Sequence, residues 1–435
     1  MQNKLVENQA VREFGWEIVP PFFSPDDREY DVAFLLAPNI PLPGISGNAI
    51  ATLVTTLAEE MKFRSIIFCT GSTDKKSWES SLRNAALAYY INNIEQSFWD
   101  KGKILPIMRH FLITPISYGW RKYARDAASA CIKLGVKCLV VEDVADFGWA
   151  VRKVRIHGIK VLLHQHAFTQ RNYRTYLWKR IERNLDKVIF VANKTSKMTQ
   201  KKHGALKANN SVIYNGVNLD RYDPQRWAEE GRILRDQLSF HETQLVITFV
   251  GRFTPAKGLL ELLEGYHQLG RKDLGLLLVC GRDGLIDPEY QVQFEEMKKK
   301  LEGEGYSIRY QENVNQEEMP VIYSASDIVI IPSIGNEGLP KVVTEALAMG
   351  VPVIASDRGG TWELLTEGKN GWKIYDPVSQ QTIQNVLLKV INTGETELAA
   401  MKNHILSRDR PEMDEKKMVE EFQKEISSLI KNSVV

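Results

Sequence analysis

From Asp31 onward the chain alternates short apolar runs of strand length with longer amphipathic stretches of helix length. No other feature constrains its fold as strongly. A strand buried on both faces reads as an unbroken run of Val, Ile and Leu, and neighbouring parallel strands need a helical crossover between them. The runs DVAFLLAP, RSIIFCT, KCLVVED, IKVLLHQ, KVIFVA and SVIYNG predict one parallel sheet, and a second array starts at Gln244 with QLVITFVG, GLLLVCG, SIRYQ, DIVIIPS and VPVIASD. The expected class is α/β, with two Rossmann-like, doubly wound parallel-sheet domains. A length of 435 residues suits two such domains better than one core.

The expected boundaries are 1–217 for the first domain, 218–243 for a linker, 244–411 for the second domain and 412–435 for a terminal helix. The linker is assigned because Leu219 to Thr243 is polar and irregular. The terminal helix repeats apolar residues at Met413, Met418, Phe422 and Ile426, which fits docking back on the first domain. The first thirty residues, with Pro20 and Pro21, read equally as an edge element or a loose arm. Two doubly wound domains facing each other offer one natural ligand site, the cleft where the carboxyl ends of both sheets meet.

The formal net charge of +2 hides an uneven distribution. Between Val151 and Lys207 there are 15 Lys or Arg against 2 Asp or Glu. Such a region concentrates anionic partners, although solvated helix faces explain it equally well. Two aromatic and basic stretches, FWDKGKILPIMRHF from Phe98 and RNYRTYLWKRIERN from Arg171, fit either a membrane interface or an acidic glycan, or a packed amphipathic helix. No window approaches the roughly 18 apolar residues of a membrane span. The polar start MQNKLVENQAVREF lacks the apolar stretch of a signal peptide. A cytoplasmic protein is expected, with peripheral contact to the inner face of a membrane as an extension. The scattered Cys69, Cys131, Cys138 and Cys280 read as reduced core thiols.

The segment IPSIGNEGLPKVVTEALAMGVPVIASDRGG, Ile331 to Gly360, carries the most chemistry. A buried strand ends in a glycine-containing loop, then a helix, then another buried strand. Pro340 suits the first helical turn, and the free amides around Leu339, Lys341 and Val342 would point outward at an anion such as a diphosphate. Glu337 in the loop and Glu345 in the helix flank that seat, and ionised carboxylates accept hydrogen bonds from sugar hydroxyls. In FVGRFTPAKGL, Arg252 and Lys257 follow a strand end. Fixed cations there would stabilise the charge that develops on a leaving diphosphate. Gly44 and Gly47 open an amphipathic helix after an early strand, where glycine lets backbone approach a ligand, although a plain turn glycine competes with that reading. VLLHQHAF places His164 and His166 on the same side of a strand end.

These segments resemble the large retaining GT-B family that includes sucrose synthase and bacterial phosphatidylinositol mannosyltransferases. The likeness is closest in EGLPKVVTEALAMGVPVIASDRGG, where the family's E-x7-E signature falls on Glu337 and Glu345. It implies contact with the donor sugar for Glu337 and with the ribose for Glu345. The family's G-R-x4-K-G segment falls on Arg252 and Lys257, implying contact with the donor phosphates. Relatives carry adjacent glycines near Gly47, whereas here Ser46 precedes it, so a phosphate role passes to Gly47 alone. His166 resembles the family's H-a-F histidine near the reacting sugar, implying a catalytic role. Other relatives place that histidine on the preceding strand end, where this chain has Glu142 and Asp143.

The resemblance implies a retaining hexosyltransferase. Its substrates would be a nucleotide sugar, a UDP-sugar by family habit, and an anionic, glycan, lipid or cell-envelope acceptor. No nucleic-acid partner is expected. The spacing of a protein-held metal is lacking, so Arg252 and Lys257 are expected in its place, with no tightly bound cofactor. The absence of a nucleophile elbow and of a Walker loop argues against hydrolase and ATPase readings. A sugar-nucleotide epimerase and a non-catalytic scaffold of the same fold remain the alternatives.

Overall fold

The structure, a computed structural model, describes residues 11–19, 30–38, 40–42, 49–71, 85–90, 118–168, 173–281 and 287–431. The chain divides into two compact units, Met1–Ile213 with Val419–Val435, and Tyr214–Met418.

The first unit is built on β1 (Trp16–Val19), β2 (Val32–Leu35), β3 (Pro41–Leu42), β4 (Ser65–Gly71), β5 (Ala85–Tyr90), β6 (Cys138–Glu142), β7 (Lys160–Gln165), β8 (Lys187–Phe190) and β9 (Asn209–Val212). The strands lie in the order β1-β5-β4-β2-β6-β7-β8-β9, with β3 beside β4. Every pairing is parallel except β1 with β5. β2 and β6, in the middle, are buried along their whole length, as their unbroken apolar sequences require.

The first thirty residues therefore supply an antiparallel edge strand at Trp16–Val19. Trp16 holds that edge, its ring 4.7 Å from Phe68, 4.8 Å from Tyr90 and 5.0 Å from Tyr123. β5 carries no strand signal of its own, because AALAYY is rich in alanine and lacks the β-branched residues that mark buried strands. All four cysteines are buried thiols outside any disulfide.

The second unit contains β10 (Val246–Arg252), β11 (Gly275–Gly281), β12 (Ser307–Glu312), β13 (Ile328–Ile331), β14 (Val353–Ser356) and β15 (Gly371–Ile374). Its order is β12-β11-β10-β13-β14-β15, parallel throughout. The chain builds outward from β10 in one direction and then from β13 in the other. That reversal creates a crevice at the carboxyl ends of β10 and β13. The first sheet reverses in the same way between β2 and β6.

Residues 218–243 hold the helix Ala228–Gln237 where the sequence reads as irregular. The helix packs on Met319–Ser324 through Gly231, where a β-carbon would come within 2.5 Å of the Ser324 hydroxyl. Its contact surface is a glycine, so apolar periodicity does not reveal it. The terminal helix Glu415–Lys431 buries Met418, Phe422 and Ile426. Within the first unit, Phe422 packs edge-on to His164 at 4.9 Å, Gln423 accepts the Lys62 amide at 2.7 Å, and Glu425 pairs with Lys187.

Asp146, in the helix Ala145–Ala150, is 3% exposed and accepts the Tyr173 hydroxyl at 3.1 Å. Burial raises its carboxyl to about 6. Above that pH the carboxylate is ionised in both states and its charge costs more in the folded chain than in the unfolded one, while below the ordinary Asp value both forms are protonated. Asp146→Asn should stabilise the fold at pH 8 by about 2–3 kcal/mol and leave it unchanged at pH 4. Melting temperatures at the two pH values check this, and an equal gain at both would refute it.

Candidate functional site

In the second unit the loops after β10 and β13 are locked together by backbone contacts. Gly258 has φ +70°, and a β-carbon there would lie 2.1 Å from the Pro332 carbonyl oxygen. The Ala256 carbonyl accepts from the amides of Ile334 and Gly335, both at 2.9 Å. On the other side, Gly359 has φ +57° and would place a β-carbon 2.0 Å from the Glu337 carbonyl oxygen. The loop 332–338 is thus gripped from two directions by glycine backbone, where no side chain fits.

The grip sets the positions of the polar groups. The Lys257 ammonium lies 2.6 Å from Glu337 Oε1, and the Ser333 hydroxyl donates to the same oxygen at 2.8 Å. Ser333 is itself fixed, its carbonyl accepting the Ser356 hydroxyl at 2.6 Å. Both members of the ion pair are mostly buried, at 17% and 15% side-chain exposure. The ammonium keeps donors beyond the one used by Glu337, so it can hold a carboxylate and a ligand oxygen together. Arg252 ends β10 with an exposed side chain.

The helix Lys341–Ala348 starts directly behind this loop. Pro340 occupies its N-cap position, with φ −63° and ψ 125°, one residue earlier than the first-turn position expected from sequence. A helix start leaves its leading amides without intrahelical partners, and at this start those of Lys341 and Val342 hold the leading positions. Leu339 is buried, and its carbonyl accepts from Asn215 at 3.3 Å. Glu345 is 6% exposed and accepts the Tyr323 hydroxyl at 2.8 Å. Burial, reinforced by the Glu345 charge, pushes the Tyr323 phenol well above its ordinary value, so Tyr323 stays a hydrogen-bond donor. Burial lowers the Lys341 ammonium, against the opposing pull of Glu345.

The first unit has its own polar centre at the ends of β6 and β7. Parallel register sets Glu142 beside His164. Glu142 Oε2 lies 2.7 Å from His166 Nε2 and 3.0 Å from His164 Nδ1. The first contact has hydrogen-bond geometry; the second is an ion-pair distance without it, leaving His164 Nδ1 unbonded. Burial disfavours the Glu142 charge, but the two imidazoles outweigh it and hold the carboxyl down at about 2. His164 is lowered, mainly by burial. For His166 burial also lowers, but the hydrogen bond and charge of Glu142, with Asp143, leave it raised.

Asp143, at φ +57°, accepts the backbone amides of His166 and Ala167 at 3.0 and 3.3 Å and the Gln165 side chain at 2.6 Å. Its carboxylate thus builds the turn that carries His166. Burial raises Asp143 in spite of these donors.

Of the residues singled out from sequence, Lys257 and Glu337 are in direct contact, and Leu339, Lys341, Val342 and Glu345 follow on the adjoining helix start. His166 contacts Glu142 and lies in the other unit. Gly47 lies outside the described residues, as does the stretch from Phe98 to Phe111. Sequence reasoning missed Ser333, Tyr323 and Gly359. Ser333 and Gly359 lie inside the quoted motif, but their roles are contacts that no spacing encodes.

Comparison with known proteins places the chain in a family. It matches Glycosyltransferase Family 4 over residues 49–221 and Glycosyl transferases group 1 over residues 231–405. The chain belongs to the group 1 glycosyltransferases. It is 28% identical over 194 residues to spore coat protein SA of Bacillus subtilis, covering 43% of this chain and 51% of that protein. It is 30% identical over 198 residues to the lipopolysaccharide 1,2-N-acetylglucosaminetransferase of Salmonella typhimurium, covering 44% and 50%. The chain thus spans about half the length of these curated relatives. Among solved structures, Anabaena Alr3699/HepE in complex with UDP-glucose superposes with a TM-score of 0.71 at 16% identity, over 92% of this chain and 100% of that one. The group 1 chain therefore has the GT-B fold expected from its sequence.

Gly258→Ala should destabilise this group 1 chain by about 1–3 kcal/mol, since it places a side chain at positive φ against a carbonyl. Thermal melts measure the effect, and a variant that melts like the wild type would contradict the backbone grip.

Proposed function

We propose that this chain transfers a hexose-type sugar, with retention of configuration, from a nucleoside diphosphate donor to a glycan, lipid or cell-envelope acceptor. One observation carries the reading. A buried ammonium, a carboxylate and the open start of a helix converge at the carboxyl ends of β10 and β13. Arg252 and Lys257, with the amides of Leu339, Lys341 and Val342, hold the two phosphates. Glu345 takes the ribose hydroxyls, with Tyr323 fixing its other contact, and Glu337 takes the sugar. His166 serves the reacting end of the sugar, and Gly47 the phosphates from the first unit.

The charge logic favours departure of the diphosphate. Lys257 is partly neutralised by Glu337 before a donor binds, so the site holds a modest attraction for the ground state. As the glycosidic bond breaks, negative charge grows on the phosphate and the preorganised cations stabilise it more strongly. The reading assigns this task to Arg252 and Lys257 rather than to a metal ion. UDP is the first nucleotide to test, in keeping with the complexes formed by the Anabaena protein.

On the acceptor side, Arg152, Lys153, Arg180, Lys197, Lys201 and Lys202 are exposed in the first unit. They suit an anionic acceptor or an anionic membrane surface that carries one. Among the described residues no helix is long and apolar enough to cross a membrane. A peripheral, cytoplasm-facing enzyme fits these features.

A thermal-shift screen against UDP, GDP, ADP, TDP and their sugar conjugates should single out one nucleotide, because ligand binding to the folded state raises its melting temperature. Arg252→Ala and Lys257→Ala should each lower turnover by roughly 100-fold. Glu345→Gln should weaken affinity for the selected nucleoside diphosphate. Silence with every nucleotide at millimolar concentration would favour a non-catalytic scaffold. Full turnover in both cation variants would remove the phosphate assignment.

A further inference from the structure

At the end of β6, Glu142 is fully buried, 2.7 Å from His166 Nε2, 3.0 Å from His164 Nδ1 and without a partner for its Oε1 atom. Burying a carboxylate is costly unless hydrogen bonds and opposite charge compensate it. The groups facing it come from two adjacent strands and one turn. His164 and His166 approach from β7 and the turn after it, and Asp143 lies next in the chain with its own carboxylate committed to that turn. From the terminal helix the Phe422 ring packs against His164, and Glu425 of that helix is paired with Lys187. His166 makes the shorter contact with Glu142, in hydrogen-bond geometry, and it is the more exposed of the two histidines, at 9% against 3%.

From this arrangement we infer that Glu142 is a positioning residue. Its carboxylate holds the Nε2 proton and the ring plane of His166, leaving Nδ1 as the ring nitrogen presented to a bound sugar. The inference rests on the reading of His166 as the group that serves the reacting sugar. A neutral imidazole has one donor and one acceptor nitrogen, and an acceptor fixed on one of them selects the tautomer. With Nε2–H committed to Glu142, Nδ1 accepts from a sugar hydroxyl when the ring is neutral and donates when it is charged. Two devices thus act on one side chain. Asp143 fixes its backbone through the amides of His166 and Ala167, and Glu142 fixes its ring. His164 packs at 4.2 Å between ring centroids and limits rotation from the other side. A triad in which a buried carboxylate orients a histidine follows the same physical logic in other enzymes.

Histidine NMR of the full chain, with nitrogen-15 labelling and His164→Ala and His166→Ala for assignment, tests the inference without any substrate. In the wild type, His166 should carry its proton on Nε2 and titrate above the ordinary histidine range. In Glu142→Gln, which keeps the size of the side chain, its titration should move to lower pH. Turnover of UDP-glucose by Glu142→Gln should fall roughly 10- to 100-fold in kcat with KM little changed, because the substitution removes none of the assigned phosphate and ribose contacts. The acid limb of the pH profile should shift with the NMR midpoint.

A wild-type His166 protonated on Nδ1, or a titration unchanged by Glu142→Gln, would overturn the inference. So would one equivalent of zinc in the purified wild type that is lost from His164→Ala, since the three side chains would then be held by an ion. Full turnover by His166→Ala would instead remove the sugar role of His166, leaving the measured tautomer in place, so the two failures are distinguishable.

Discussion

Parallel pairing with a reversal of strand order is the constraint on which the rest depends. Parallel strands deliver all their carboxyl ends to one edge of a sheet. Where the chain stops building outward in one direction and starts in the other, the connecting loops part and leave a crevice. In the second unit that point lies between β10 and β13, and the loops bearing Arg252, Lys257, Ser333 and Glu337 leave from those two strands. In the first unit it lies between β2 and β6, and Glu142 is the last residue of β6. Each polar centre occupies the place where its sheet opens.

Within that frame, glycine does the close fitting. Gly258 and Gly359 hold the Glu337 loop by approaching carbonyl oxygens more closely than any β-carbon allows. The loop is short, so fixing its backbone at both ends leaves Glu337 little freedom. Ser333 and Lys257 remove what remains. The outcome is a carboxylate and an ammonium held in contact at low exposure, where each electrostatic interaction weighs more than it would in water.

The two units solve the problem of buried charge differently. In the second unit the pair is of fixed charge, an ammonium held against a carboxylate. In the first, one carboxylate faces two histidines whose charge depends on pH, and their opposite shifts reflect their surroundings: burial prevails at His164, whereas at His166 the Glu142 hydrogen bond and the charges of Glu142 and Asp143 together outweigh it. Groups with such divergent environments are common where proton position matters.

Sequence alone determined the α/β class, eleven of the strands and the residue types at the helix start. Apolar runs bounded by polar turns are a local signal, and E-x7-E and G-R-x4-K-G lie within single segments. It was silent where the signal is weak or distant. The alanine-rich β5, the short edge strand at Trp16 and the Gly231 face of helix Ala228–Gln237 owe their structure to neighbours, not to their own periodicity. Tertiary structure alone decided that Lys257 meets Glu337 across 80 residues, that Tyr323 meets Glu345 across 22, and that Glu142 meets His166 across 24. Those contacts arise from strand order and register, which bring distant strand ends together, and neither order nor register is written in the spacing of any one motif.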